Sequence, residues 1–307
     1  VRTPALTIGI TTRNRRESLR RCIRSLEHLS HLAPEILVFD DASDEPAGSQ
    51  LGALAQEPAV RVIRPERQTG YIVGRNRLVR EAAGRHVLLL DDDAAVLGRM
   101  AVETGLAVIA GDPQVAAVAF AQARADGDPW PDSMQPARSA VPSVIPAFIG
   151  FAHLVCRDRF LAAGGYRERF VFYGEEKELC LRWMDAGYRV VYLPSAFVMH
   201  DPDPAGRNAS RHLRQVVRND CLNAMYNEPW HRLVWLVPAR LVLYFVMRRG
   251  WKVNDPFGWA WVLRELAVNA RPVLRERRPV HSETRRRWAA LKREPEAYDL
   301  PSAAQAL

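Results

Sequence analysis

The stretch Arg85-His-Val-Leu-Leu-Leu-Asp-Asp-Asp93 decides how this chain is read. Four apolar residues, Val87 to Leu90, run straight into three carboxylates. A short unbroken apolar run is the signature of a strand buried on both faces. Three adjacent carboxylates repel one another, and a fold tolerates that mainly where a cation or donors offset the charge. Asp91 and Asp93, one residue apart, are placed to hold a divalent ion and a sugar hydroxyl of a nucleotide. The competing reading is a solvated acidic turn capping a helix that starts at Ala94.

Working outward, the same alternation recurs upstream. Ala5 to Thr11 reads as a strand, followed by a helix whose Leu19, Cys22, Ile23, Leu26 and Leu29 form one apolar stripe. Glu35 to Asp40 is a second strand, closed by the acidic turn Asp40-Asp41-Ala42-Ser43-Asp44. Arg61 to Arg64 is a third strand, and Val73 to Gly84 a helix stopped by glycine. Strands alternating with helices predict an α/β fold, a mainly parallel sheet with helices on both faces. Ligands bind such sheets at the carboxyl ends of the strands, where Thr11, Asp40, Asp41 and Asp91 to Asp93 all lie.

Downstream, residues 126–146 carry five prolines and no period, which predicts a long loop, either a lid or a passive connection. A strand and short helix from Phe148 to Gly165 follow, then a helix over 174–187 and a strand from Tyr188 to Leu193. Glu175, Glu176 and Glu178 open that helix, where carboxylates are favoured by the dipole. One of them is equally suited to be a general base. His200 follows the apolar residues 196–199. After about residue 210 the pattern turns helical and is interrupted by Pro229, Pro238 and Pro256. The reading is a domain over 1–210 and a helical extension over 211–307.

The chain has 307 residues and a net charge of +8, with three lysines and forty arginines. Its 48% hydrophobic and 25% charged residues suit a globular chain and argue against extended disorder. An arginine-biased composition accounts for most of the excess charge. Cys22, Cys156, Cys180 and Cys221 have neither disulfide nor zinc spacing, so reduced thiols in a cytoplasmic protein are expected. No secretory leader is seen, and no uninterrupted apolar run reaches the roughly 18 residues of a spanning helix. The best candidate, Trp230 to Met247, contains Arg232 and Arg240.

Taken in order, the strand ending in TTRNR, the strand ending in DDASD, GYIVGRN, DDD, GEEKELCLR, GYRVVYLP and a following histidine resemble the family 2 nucleotide-sugar glycosyltransferases. These are inverting enzymes with the GT-A fold, a Rossmann-like central sheet flanked by helices. The resemblance covers about residues 5–200. It implies Thr11 beside a nucleotide base, Arg13 near the phosphates, and Asp41 or Asp40 accepting a hydrogen bond from the base. Gly70, Arg75 and Asn76 would line the nucleotide pocket, and Asp91 or Asp92 would touch the ribose. Asp93 would ligate Mg²⁺ or Mn²⁺ on the diphosphate, with His200 completing the metal shell. Glu176 would be the catalytic base; glutamates replace the usual aspartate there, so Glu175 stands as the alternative.

The implied partners are a nucleoside-diphosphate sugar, UDP- or dTDP-linked, and an acceptor that is a small molecule, a glycan or a lipid-linked glycan. A nucleotidyltransferase of similar fold would show a glycine-rich, lysine-bearing N-terminal loop, which TTRNRRESLRR lacks. A nucleic-acid-binding protein would interleave basic and aromatic residues in a recognisable module, and no nucleic acid partner is expected. For the extension two roles stand. It is a set of helices packing on the catalytic domain or in a homodimer, or an interfacial segment at the inner face of the membrane.

Overall fold

Strand β1 (Leu6–Thr12) is buried along its whole length. This computed structural model describes residues 4–55, 60–202 and 208–305. Helix α1 (Arg16–Ser25) follows, then β2 (Glu35–Asp40), the short α2 (Ala47–Leu51), β3 (Val60–Ile63), α3 (Tyr71–Glu81) and β4 (His86–Asp91). Strand β1 lies between β2 and β4, and β3 adds beyond β2, all parallel. The period of two divides each strand between two cores. Ile36 and Val38 join Ile8, Ile10 and Leu19 on the α1 face, whereas Leu37 and Phe39 join Leu78 on the α3 face. A Cβ on Gly74 would strike the Phe39 ring, so α3 sits this close to β2 only because it carries glycine there. In register, Thr11 pairs with Phe39 and Asp91, and Thr12 with Asp40. The carboxyl ends of three strands therefore share one rim.

The chain continues through β5 (Ala94–Val96), α4 (Arg99–Gly111), β6 (Val115–Ala123), β7 (Ser143–Ile145), β8 (Ala152–Cys156), α5 (Arg157–Ala162), α6 (Glu175–Asp185) and β9 (Arg189–His200). The expected parallel pairing holds in β3-β2-β1-β4 and again in β6-β9. Strand β8 runs antiparallel between β4 and β6, and β5 and β7 run antiparallel to β9, so the sheet is mixed. An apolar strand buried on both faces reads the same in either direction, which hides its polarity in the sequence.

Ala94 begins strand β5, not a helix, and pairs with His200 at the end of β9. Strand β9 runs well past Leu193 because the ladder to β6 breaks its register around Pro194: Leu193 pairs with Phe120 and Phe197 with Ala121. The skipped residues release proline from donating an amide. Residues 126–146 are mostly loop, with a turn at Asp132–Met134 and β7 at their end. All four cysteines are free and buried.

The C-terminal part comprises α7 (Ala209–Asn227), α8 (Trp230–Gly250), α9 (Gly258–Glu276), α10 (Ser282–Arg293), β10 (Glu296–Ala297) and α11 (Ser302–Gln305). Helix α7 packs against both α8 and α9. Pro238 lies inside α8, not at its end. The last residues return to the sheet: α10 lies on α6, β10 pairs with β7, and α11 packs on α4.

Candidate active site

Asp40 and Asp41 end β2 side by side with different tasks. Asp40 is fully buried and accepts from the amides of Ser43 and Ala47, both at 2.9 Å, and from the Arg64 guanidinium. Burial pushes its carboxyl up, but these donors prevail and hold it below the ordinary carboxylate range. Asp41 accepts from the amides of Thr69 (2.6 Å) and Gly70 (2.9 Å). Gly70 caps α3 with φ of 97°, a conformation that favours glycine. Asn76 donates to the Tyr166 carbonyl (2.8 Å) and accepts from its amide (2.8 Å). Asp40 and Asn76 are thus buried and engaged with protein groups. Their hydrogen bonds fasten the 41–47 turn and the 165–168 segment.

The acidic triplet sits at the rim beyond β4. Asp92 accepts from the Thr12 hydroxyl (2.7 Å) and from Arg15 (3.1 Å), and the same Arg15 nitrogen donates to Asp93 (2.7 Å). Arg13, which the resemblance places near phosphates, is exposed; the arginine on the carboxylates is Arg15. Burial and the neighbouring Asp93 push the Asp92 carboxyl up to about 7, against the pull of Thr12 and Arg15. Thr11 is buried at the end of β1, next to Asp91 in register.

Pairing of β5 with β9 brings His200 to Asp93, with His200 Nε2 and Asp93 Oδ1 3.7 Å apart. That carboxylate oxygen is buried and has no hydrogen-bond partner. The Gln122 side-chain oxygen sits 2.6 Å from His200 Nδ1, while its amide nitrogen donates to the Met134 carbonyl. Nδ1 then donates to the Gln122 oxygen, and Nε2 is the ring nitrogen on the Asp93 side. The ring stacks on Phe151, and Trp130 donates its indole N–H to the His200 carbonyl at 3.0 Å. A buried carboxylate oxygen beside an imidazole nitrogen offers one oxygen and one nitrogen donor of the kinds divalent cations accept. No cluster of three or more His, Cys, Asp or Glu able to hold a metal occurs among the described residues. The remaining ligands would have to be phosphate oxygens and water, as magnesium sites commonly use.

Arg75 links this rim to α6. It is 2% exposed, donates to Asp91 (2.7 Å), to the Gly150 carbonyl (2.8 Å) and to Glu175 (3.3 Å), and lies over the Tyr71 ring. Glu176 is 3.8 Å away. The guanidinium of Arg75, expected to line the nucleotide pocket, is surrounded by the carboxylates of Asp91, Glu175 and Glu176. Glu175 is fully buried, and burial together with the neighbouring Glu176 raises its carboxyl well above the ordinary range despite Arg75. The Glu176 side chain keeps 17% exposure. Its Oε1 lies where a Cβ on residue 150 would collide, so Gly150 makes the room. Glu178 points the other way, fully buried between Arg167 (2.8 Å) and Arg182 (2.7 Å).

A sequence model of glycosyl transferase family 2 matches residues 7–164, a little over half of the chain. The chain belongs to this family. The uncharacterized glycosyltransferase YwdF of Bacillus subtilis is 32% identical over 88 residues, 29% of this chain. That match spans about a third of the relative's length (32%). Two solved structures share the fold across most of their length. The mannosyltransferase PcManGT from Pyrobaculum calidifontis, in complex with GDP-Man and Mn²⁺, superposes with a TM-score of 0.57 at 14% identity, over 95% of this chain and 85% of that one. TarS 1–349 of S. aureus, in complex with UDP-GlcNAc, gives 0.62 at 14% identity, over 94% and 89%. The architecture is the GT-A fold.

For this family 2 member, sequence reading missed Arg15, Gln122 and Gly150. Three arginines crowd residues 13–16, and only the backbone path after β1 selects the one that reaches the carboxylates. Gln122 did leave a trace: it is the one polar residue in the strand VAAVAFAQA, and a buried amide in such a run needs a partner.

Proposed function

We propose that this family 2 protein transfers a sugar from a nucleoside-diphosphate sugar, UDP- or dTDP-linked, to an acceptor hydroxyl by a single inverting displacement. The observation that carries the assignment of roles is the contrast on α6. Glu175 is sealed beneath Arg75 in an environment that favours its neutral form, whereas Glu176 reaches open space beside it. Glu176 is therefore the group able to take the acceptor proton as the hydroxyl oxygen attacks the anomeric carbon. Arg75 fixes its distance from the donor rim, touching Asp91 and lying near Glu176 through one guanidinium.

At that rim Asp93 and His200 would hold Mg²⁺ or Mn²⁺, which when bound neutralises charge developing on the departing diphosphate. Asp91, a third of its side chain exposed, is the carboxylate open to a ribose hydroxyl. Thr11, Asp41 and Gly70 would line the pocket for the base. Asp92 is engaged by Thr12 and Arg15, which suits it to orient Asp93 more than to touch the donor.

The test is Glu176→Gln. Transfer should fall by about 10²–10⁴-fold, the usual contribution of a general base. Donor binding, read from thermal shifts with UDP-, dTDP- and GDP-sugars plus Mn²⁺, should stay within about threefold. Retained transfer in Glu176→Gln would move the base elsewhere. A protein stabilised by no diphosphate sugar would remove the donor reading itself.

A further inference from the structure

Helix α8 has two apolar faces, and the protein covers one. Its inward stripe, Leu233, Val237, Leu241, Tyr244 and Met247, packs on the core through α7. An exposed helix ordinarily turns polar residues outward. Here the outward residues between Arg232 and Arg249 are Val234, Trp235, Pro238, Ala239, Val242, Leu243, Phe245 and Val246. Trp235 is 76% exposed, Val234 64%, Val246 62% and Val242 61%. The one charge in the middle of the helix, Arg240, is turned inward and only partly exposed. Phe245 meets Trp259 of α9, with centroids 6.4 Å apart, and Phe257 stands 75% exposed in the intervening turn. The patch thus extends past the end of α8.

We propose that this face lies on the surface of a lipid bilayer containing anionic headgroups. The charge pattern selects that occupant. Residues 230–254 contain Arg232, Arg240, Arg248, Arg249 and Lys252 and no Asp or Glu. Arg232 is paired with Glu228 just before the helix (3.4 Å), but the other end adds Arg248, Arg249 and Lys252, so a second copy docked face to face would bring an excess of like charge together. Anionic headgroups neutralise those ends while the apolar band enters the acyl boundary. Tryptophans at both ends of the helix and in the following turn, Trp230, Trp251 and Trp259, are the side chains favoured at that depth. The helix lies in the plane and does not cross. By length and composition its 21 residues could span a bilayer, but its other face is occupied by α7, which keeps it at the surface. This inference stands apart from the donor-site reading.

The experiment is co-sedimentation of the full chain with vesicles of phosphatidylcholine alone or with about one third phosphatidylglycerol, a composition whose anionic surface attracts basic residues. The wild type should bind the anionic vesicles and bind them less as salt rises. Val242→Glu/Val246→Glu, with an unchanged melting temperature because both positions face outward, should lower binding about tenfold or more. Arg232→Gln/Arg249→Gln should lower it about 25-fold, since each basic side chain near the surface contributes roughly fivefold. A wild type that ignores anionic vesicles, or a double-glutamate variant that binds like wild type, overturns the proposal. A dimer by light scattering that Val242→Glu/Val246→Glu dissociates would assign the face to a second copy.

Discussion

Arg75→Met tests the electrostatic frame beneath the site. The substitution keeps most of the side-chain volume, so the cavity contribution is small and the effect reports charge. Arg75 is 2% exposed and faces Asp91 at 2.7 Å, Glu175 at 3.3 Å and Glu176 at 3.8 Å. Removing one member of a buried ion pair costs about 3–5 kcal/mol, because the other charge remains without compensation. Asp91 is a third exposed, so water partly screens what is left behind. The lower end, about 3 kcal/mol, is expected. In a chain of this size that lowers the melting temperature by roughly 6 °C. Asp91→Asn in the Arg75→Met background removes the orphaned charge, so the two losses should fall short of additivity by about 1–3 kcal/mol.

The pH dependence follows with a definite sign. Without the guanidinium, the folded-state carboxylates hold their protons to higher pH than the unfolded chain does. The folded variant then binds more protons, and its stability falls as pH rises. The gap between wild type and Arg75→Met should therefore be wider at pH 8 than at pH 5. Urea unfolding at the two pH values measures it. A gap below about 1 kcal/mol at pH 8, or one that widens towards acid, would refute the frame assigned to Arg75.

Three further outcomes are expected. Gln122→Leu removes the acceptor that fixes the His200 tautomer, so Mn²⁺ affinity in the presence of UDP should weaken about 10–100-fold by paramagnetic titration; unchanged affinity would separate His200 from the metal. Gly150→Ala collides with Glu176 Oε1 and with the buried Arg75 guanidinium, so kcat should drop at least about tenfold and the melting temperature should fall with it. A variant equally active and folded would show that Glu176 needs no such room. Glu178 is pushed up by burial but drawn below its ordinary value by Arg182 and Arg167, so its stabilisation is present above the unfolded pKa and lost as pH falls through the folded one. Glu178→Gln should cost about 3 kcal/mol at pH 7, and its melting-temperature deficit should shrink on going to pH 3; a deficit independent of pH would remove the charge argument.

Much of the rim was legible in the residues. Apolar runs ending in Thr11, Asp41 and Asp91 to Asp93 announce buried strands whose carboxyl ends carry polar side chains, because strand burial imposes that pattern whatever the sheet order. The division of labour within each cluster was not legible. Asp40 and Asp41 are adjacent, and the alternation of a strand end sends one to the 41–47 turn and the other to the cap of α3. Glu175 and Glu176 are equivalent by composition; the phase of α6 buries one against Arg75 and leaves the other open.

The sequence by itself determined the alternating α/β organisation, the family and the set of acidic strand ends, since periodicity and local motifs are carried by neighbouring residues. Tertiary structure alone decided strand direction in the second half of the sheet and the meeting of His200 with Asp93 through β5 and β9. It also decided that Arg15 is the arginine that reaches Asp92 and Asp93, and the outward turn of the apolar face of α8. Each depends on contacts between residues far apart in the chain, where hydrophobicity and charge set what is buried but not which partner it meets.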